Sequence, residues 1–190
     1  MNAKDEFIQI FTDNIHRDGA AELLKWLEST DFFTAPASTR YHSCHEGGLC
    51  EHSVNVYHRL DDAYWSESAV EGKNAEKAES LAICGLLHDV CKANFYTVQM
   101  RNVKDESTGH WSKKPYYAVD EKFPFGHGEK SVFLIERFMK LTLEEAVAIR
   151  FHMGEFEKER STSDAYGKYP LAVMLHVADL EATFLDERNE

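Results

Sequence analysis

The dipeptide His88-Asp89 stands in the run Leu86-Leu87-His88-Asp89-Val90-Cys91-Lys92, where the surrounding pattern asks for core residues. An unpartnered buried carboxylate costs several kcal/mol. A divalent cation removes that cost and gives both side chains a role. Further candidate ligands flank the pair: His52 upstream, then His127, His152 and Asp179 downstream. Asp179 follows Ala172-Val173-Met174-Leu175-His176-Val177-Ala178, so it too needs a partner. Histidines and aspartates dispersed over several helices, with no Cys-x-x-Cys, point to a catalytic centre in a helical bundle rather than a structural zinc clip.

These ligands need helices to carry them. Phe7, Ile8, Ile10, Phe11 and Ile15 give helical spacing over Asp5 to His16, broken by Gly19. Ala20 to Leu27 makes a second short helix, and Pro36 marks a loop. Gly47-Gly48 leads into a helix from about Leu49 to Tyr64, with Val54, Tyr57 and Leu60 on its apolar face. A polar linker, Ser66 to Ala75, precedes a helix from Glu76 to Val90 that ends in the His-Asp pair. Phe95 to Met100 and Pro115 to Val119 are β-prone, with a turn over Asp105 to Gly109, so Ala93 to Lys122 predicts an inserted β-hairpin. Gly126 starts a helix through about Lys140. Thr142 and Glu145 form a capping box for a helix to His152. A polar loop, Gly154 to Lys168, precedes a last helix from Pro170 to about Leu185, with proline in its first turn. The expectation is one mainly α domain over 1–190, with N-terminal helices in 1–38 and the hairpin insert in 93–122.

Composition narrows the partners. With 190 residues, 43% hydrophobic and 12% aromatic, the chain can bury a full core. A net charge of −12 argues against a surface for long duplex nucleic acid, which needs clustered Lys and Arg. A small phosphorylated substrate is the better match. No apolar run approaches the ~18 residues of a membrane span, and the N-terminus lacks a secretory h-region. Cys44, Cys50, Cys84 and Cys91 match neither a zinc finger nor a redox motif, which favours a reducing cytoplasm. Oligomeric state is not legible here.

The order His52, His88-Asp89, Asp179 resembles the HD superfamily of metal-dependent phosphohydrolases. Gly126-His127 and His152 resemble the added ligands of its binuclear branch. Gly47-Gly48-Leu49-Cys50-Glu51-His52-Ser53 is similar to the corresponding stretch of YhaM-type 3′-to-5′ exoribonucleases, and the likeness covers roughly Tyr41 to Ala182. The resemblance implies an HD-domain helical bundle and hydrolysis of a nucleotide or other small phosphate ester by a metal-activated hydroxide. Cys91 stands where many relatives have glycine before the lysine. No glycine-tyrosine-proline signature follows His152, so cyclic di-GMP hydrolysis is not implied. The chain has no room for the OB domain of the exoribonucleases.

A two-metal centre needs a bridging carboxylate, and Asp89 is best placed by order. One cation would take His52, His88, Asp89 and Asp179; the second would share Asp89 and take His127 and His152. Two cations ~3.5–4 Å apart activate hydroxide and clamp a phosphoryl oxygen. This mixed imidazole and carboxylate set suits one or two ions of Mn, Fe, Co, Ni or Zn without choosing among them. Lys92, about one turn after His88, is placed to neutralise a phosphate oxygen, so Asp89 and Lys92 are the expected catalytic pair.

Taken singly, these residues also have plain readings. His88-Asp89 and His152 could be helix ends, where histidine complements the dipole, and His127 a helix N-terminal residue. His176 reads as supporting a neighbouring ligand or as a packed helix residue, and Thr183 as orienting Asp179 or packing. Arg40, His42 and His45 line a pocket or a solvated loop; Glu51 and Glu129 read as surface or capping groups. His16, His58 and His110 read as surface. Two rivals stand beside the phosphohydrolase: a single-stranded nucleic-acid exonuclease, which needs a cationic track, and a nucleotide or metal sensor without turnover.

Overall fold

The computed structural model describes residues 1–67, 74–154 and 161–187. Among them are eight α-helices and one antiparallel hairpin, the mainly α architecture with an inserted hairpin that the sequence predicts. In chain order these are α1 (Ala3–Asn14), α2 (Ala20–Ser29), α3 (Gly48–Glu67), α4 (Ala75–Leu87), β1 (Tyr96–Lys104), β2 (Trp111–Val119), α5 (His127–Glu136), α6 (Leu143–Phe151), α7 (Ser161–Lys168) and α8 (Pro170–Glu181). None of these helices is long and apolar enough to cross a membrane.

Local chemistry explains most boundaries. The Asn2 side chain accepts from the Asp5 N–H to start α1, and Asn74 accepts from Glu76 to start α4. Every residue of α4 from Ser80 to Leu87 is buried, so the second half of this helix is enclosed on all sides and lies at the centre. Helices α3 and α6 pack against it, and α8 packs against both α3 and α6. The capping box of α6 forms as expected: the Glu145 N–H donates to Thr142 Oγ1 at 3.3 Å, and the Thr142 N–H donates to Glu145 Oε2 at 2.8 Å. Glu145 is also fully buried, gripped by both terminal nitrogens of Arg17 at 2.6 and 2.7 Å and by the Ser80 hydroxyl at 2.6 Å.

Two glycines set how closely the helices that carry the candidate ligands approach. A Cβ at Gly85 would lie 2.6 Å from Cα of Tyr57, so α4 rests directly on α3. A Cβ at Gly128 would lie 2.3 Å from the Arg150 carbonyl oxygen, so α5 rests on α6.

The strands pair from Tyr96 with Val119 to Lys104 with Trp111, longer than the β-prone runs alone suggest. The Asp105 carboxylate accepts from both the amide and hydroxyl of Ser107 and from the Thr108 amide, fixing the turn. The hairpin is largely exposed and joins the body at its base. There the Tyr96 hydroxyl donates to the Ala37 carbonyl at 3.0 Å. Buried Lys130 pairs with Glu121 at 2.9 Å and lies over the Phe95 ring at 5.0 Å.

Several expected boundaries shift. Helix α1 spans Ala3–Asn14 rather than Asp5 to His16, and α2 continues to Ser29. Helix α3 runs on to Glu67, so Ser66 is helical; the rest of the expected linker, 68–73, lies outside the described residues. Helix α4 stops at Leu87 instead of Val90, because Val90–Lys92 tightens into a 3-10 turn. Helix α5 stops at Glu136 rather than Lys140. The expected polar loop before Pro170 contains α7; residues 155–160 lie outside the description. Polar Ser161-Thr162-Ser163-Asp164 hides that helix from hydropathy, yet Thr162 and Ala165 are buried on one face. Helix α8 ends at Glu181 and passes into a π-helical turn, Ala182–Asp186.

Candidate metal centre

The six expected ligands converge. His52 projects from the first turns of α3, His88 is the C-cap of α4, and Asp89 follows it with φ −105° and ψ 17°. His127 opens α5, His152 is the C-cap of α6, and Asp179 lies in the third turn of α8. Three of the four histidines therefore stand at helix ends, where the chain turns inward.

Asp89 lies between two groups of imidazoles. Its Oδ2 is 3.7 Å from Nε2 of both His52 and His88. Its Oδ1 is 2.6 Å from His127 Nε2 and 3.5 Å from His152 Nε2. On the first side, His52 Nε2 lies 3.3 Å from His88 Nε2 and 3.2 Å from Asp179 Oδ1. Nitrogen and oxygen ligands ~2.0–2.2 Å from a common cation stand about 3–3.4 Å apart, so this spacing fits a cation site.

Backbone carbonyls fix the tautomers. A carbonyl only accepts, so His88 Nδ1 donates to Gly85 at 2.9 Å and His152 Nδ1 donates to Ile149 at 2.6 Å. Each Nε2 is thereby left with a lone pair facing the centre. His152 Nε2 is buried and has no hydrogen-bond partner among the described residues, which is the state of a ligand atom prepared for a cation rather than of a settled core histidine.

The electrostatics match. Burial lowers His88 from 6.5 to about 3, keeping it neutral. Burial also opposes charge on His52, but hydrogen bonds to Asp179 and Glu187 outweigh it and raise the imidazole to about 10. For His127, Cys91 and Asp89 outweigh burial and hold it well above its ordinary value. Burial would raise Asp89, yet Lys92, His88 and His127 hold its carboxyl well below the usual range. The centre thus draws positive charge strongly, and the donor set fits one or two divalent ions.

Lys92 places Nζ 2.6 Å from Asp89 Oδ2 and is charged, because Asp89 outweighs the burial that would lower it. A cavity of about 1020 Å³ is lined by His52, Asp89, Lys92, His127 and Asp179, with Arg40, Tyr96 and Phe184 beside them.

Glu187 is the functional residue the sequence reading missed. Its Oε1 accepts from His52 Nδ1 at 3.0 Å and from the Asn55 amide at 3.1 Å; Oε2 accepts from the Ser43 hydroxyl at 2.7 Å. Burial would raise this carboxyl, but these donors, with His52 foremost, lower it to about 2. Glu187 therefore orients His52 as outer carboxylates orient metal-binding histidines. A carboxylate in the charged stretch Asp186-Glu187-Arg188 carries no sequence signal; the π-helical turn brings it inward.

The secondary candidates resolve individually. His176 Nδ1 donates to the His152 carbonyl at 2.6 Å, bracing that turn. Arg40, His42 and Thr183 line the cavity, with the His42 ring 4.9 Å from that of His52. His45 and Glu51 are exposed and 3.6 Å apart, and Glu129 pairs with Arg150. His16, His58 and His110 are exposed, as expected.

Comparison with known protein families, curated proteins and solved structures finds no match to this chain.

Proposed function

We propose that this chain is a metal-dependent phosphohydrolase acting on a nucleotide or another small phosphate ester, an HD-superfamily enzyme of the binuclear kind. One observation carries the reading: Asp89 turns Oδ2 toward His52 and His88 and Oδ1 toward His127 and His152. A carboxylate with an imidazole pair on each side is suited to bridging two cations.

In this reading His52, His88, Asp89 and Asp179 hold one ion, and Asp89, His127 and His152 hold the other. When bound, divalent ions supply charge neutralisation, polarisation of a phosphoryl oxygen and activation of water. Glu187 orients His52, and the Gly85 and Ile149 carbonyls orient His88 and His152. Lys92, at the cavity lining, stabilises negative charge that grows on the phosphoryl group. Arg40 offers a planar donor fork to a further phosphate oxygen. Tyr96 and Phe184 give the cavity an aromatic lining suited to stacking on the base of a nucleotide or another flat apolar part of the ester. A cytoplasmic location is part of the proposal and rests on the four free cysteines.

The test is phosphate release from nucleoside monophosphates and triphosphates, cyclic nucleotides, simple phosphomonoesters and short RNA. Each is offered to protein loaded in turn with Mn, Fe, Co, Ni and Zn. Turnover of a small ester, abolished in Asp89→Ala, is expected. Turnover of RNA alone would favour an exonuclease, and no turnover with any metal would favour a sensor.

A further inference from the structure

Cys91 sits in the 3-10 turn that leaves α4, two residues after Asp89, and is 3% exposed. Its Sγ lies 3.6 Å from Nδ1 and 3.7 Å from Nε2 of His127. Asp89, Cys91 and His127 each present a ligand atom within 4.8 Å of the others. The Cys91 amide donates to Ser131 Oγ at 3.2 Å, one turn beyond His127 on α5. That bond fixes the thiol-bearing turn against the helix that carries the imidazole.

Independent support comes from His152. Its Nε2 is buried, lacks a hydrogen-bond partner among the described residues and lies 3.5 Å from the same Asp89 oxygen. Sulfur and nitrogen ligands ~2.3 and ~2.05 Å from one tetrahedral cation stand about 3.5–3.6 Å apart, close to the observed thiol–imidazole spacing. Cys91 also lines a second cavity of about 420 Å³ together with Lys92, Gly126 and His127, which gives an ion a route to the thiol.

We propose that Cys91 Sγ is a protein ligand of the second cation position, beside Asp89, His127 and His152. The inference rests on the metal reading above and narrows the ion class. Thiolate sulfur is a soft donor, so this position selects zinc, cobalt or iron(II) over manganese or magnesium. Ligation forms the sulfur–metal bond as the thiol proton leaves to solvent.

The experiment is a cobalt(II) titration of the full chain after metal stripping, followed by absorption. Visible ligand-field bands report cobalt in an ordered site of either donor type, and a near-ultraviolet sulfur-to-cobalt band reports the thiolate. The parent should show both. Cys91→Ser should keep the visible bands, lose the charge-transfer band and show a weaker preference for cobalt over manganese in competition. A chain carrying Cys44→Ser, Cys50→Ser and Cys84→Ser should keep the charge-transfer band. Visible bands without the sulfur band in the parent would overturn the Cys91 ligand and leave the metal centre standing. A sulfur band that survives Cys91→Ser would overturn it as well. Failure of the parent to bind cobalt at all would overturn both readings.

Discussion

Lys92 Nζ lies 2.6 Å from Oδ2 of Asp89, so the lysine expected to meet substrate is anchored on the carboxylate expected to bridge the metals. The 3-10 turn Val90–Lys92 makes this possible, because it tightens the backbone directly after the His-Asp pair. The arrangement separates two functions that a single deletion would confuse. Asp89→Ala should lose metal and activity together. Lys92→Ala should keep metal and lose phosphoryl-transfer rate by roughly 10²–10³, the cost typical of removing one transition-state contact. Parallel elemental analysis and steady-state kinetics decide it; unchanged turnover in Lys92→Ala would reject the role of the lysine.

Glu187→Gln tests whether the C-terminal turn orients the metal centre. The amide keeps the size of the side chain but loses the charge that faces His52 Nδ1. Metal affinity, read by competition with a chelator, should fall by about 10–100-fold. Glu187→Asp should recover part of that loss if orientation is the cause. Equal affinity in the parent and the glutamine variant would contradict the assignment.

Much of this architecture is legible in the chain. The Thr142–Glu145 box is local chemistry and survives folding unchanged. The candidate ligands are legible because His88, Asp89 and Asp179 interrupt apolar runs, where burial demands a partner. Glu187 is not, because its role depends on a π-helical turn that no hydropathy pattern encodes. The early end of α4 is equally hidden: periodicity continues through Val90, while the backbone leaves the helix at Asp89, directly after His88. In the sequence Cys91 is only a departure from glycine before the lysine; its place beside His127 depends on how α5 packs against the 3-10 turn.

Glu145 gives a pH dependence of known sign. Burial would raise its carboxyl, but hydrogen bonds from Arg17, Ser80 and the Thr142 amide hold it below 4.5 in the folded chain. A depressed carboxyl contributes stability that is fully present above its unfolded value and is lost as pH falls through the folded value. Denaturant unfolding below pH 4.5 should therefore weaken less steeply in Glu145→Gln than in the parent. Glu145→Ala leaves Arg17 paired with Glu79 and the Lys140 carbonyl but deprives the Ser80 hydroxyl of its carboxylate, and should cost about 1–3 kcal/mol near neutrality. Identical acid limbs in parent and glutamine variant would contradict this.

Close helix contact predicts the effect of two one-carbon insertions. Gly85→Ala forces its methyl into Tyr57 Cα, and Gly128→Ala forces its methyl into the Arg150 carbonyl. Each should cost about 1–3 kcal/mol by overpacking. Gly85→Ala should also weaken metal binding, since it separates the helices that carry His52 and His88. Thermal melts with and without metal read both effects.

Metal content tests the central claim most directly. The full chain, purified without chelator and then offered Mn, Fe, Co, Ni and Zn, is analysed for elements beside Asp89→Ala. The parent should hold one or two transition ions per chain, as its paired ligand sets imply, and should melt lower once they are removed. Asp89→Ala should hold few or none. A parent that stays free of metal under every condition, and melts identically before and after chelation, would contradict the account.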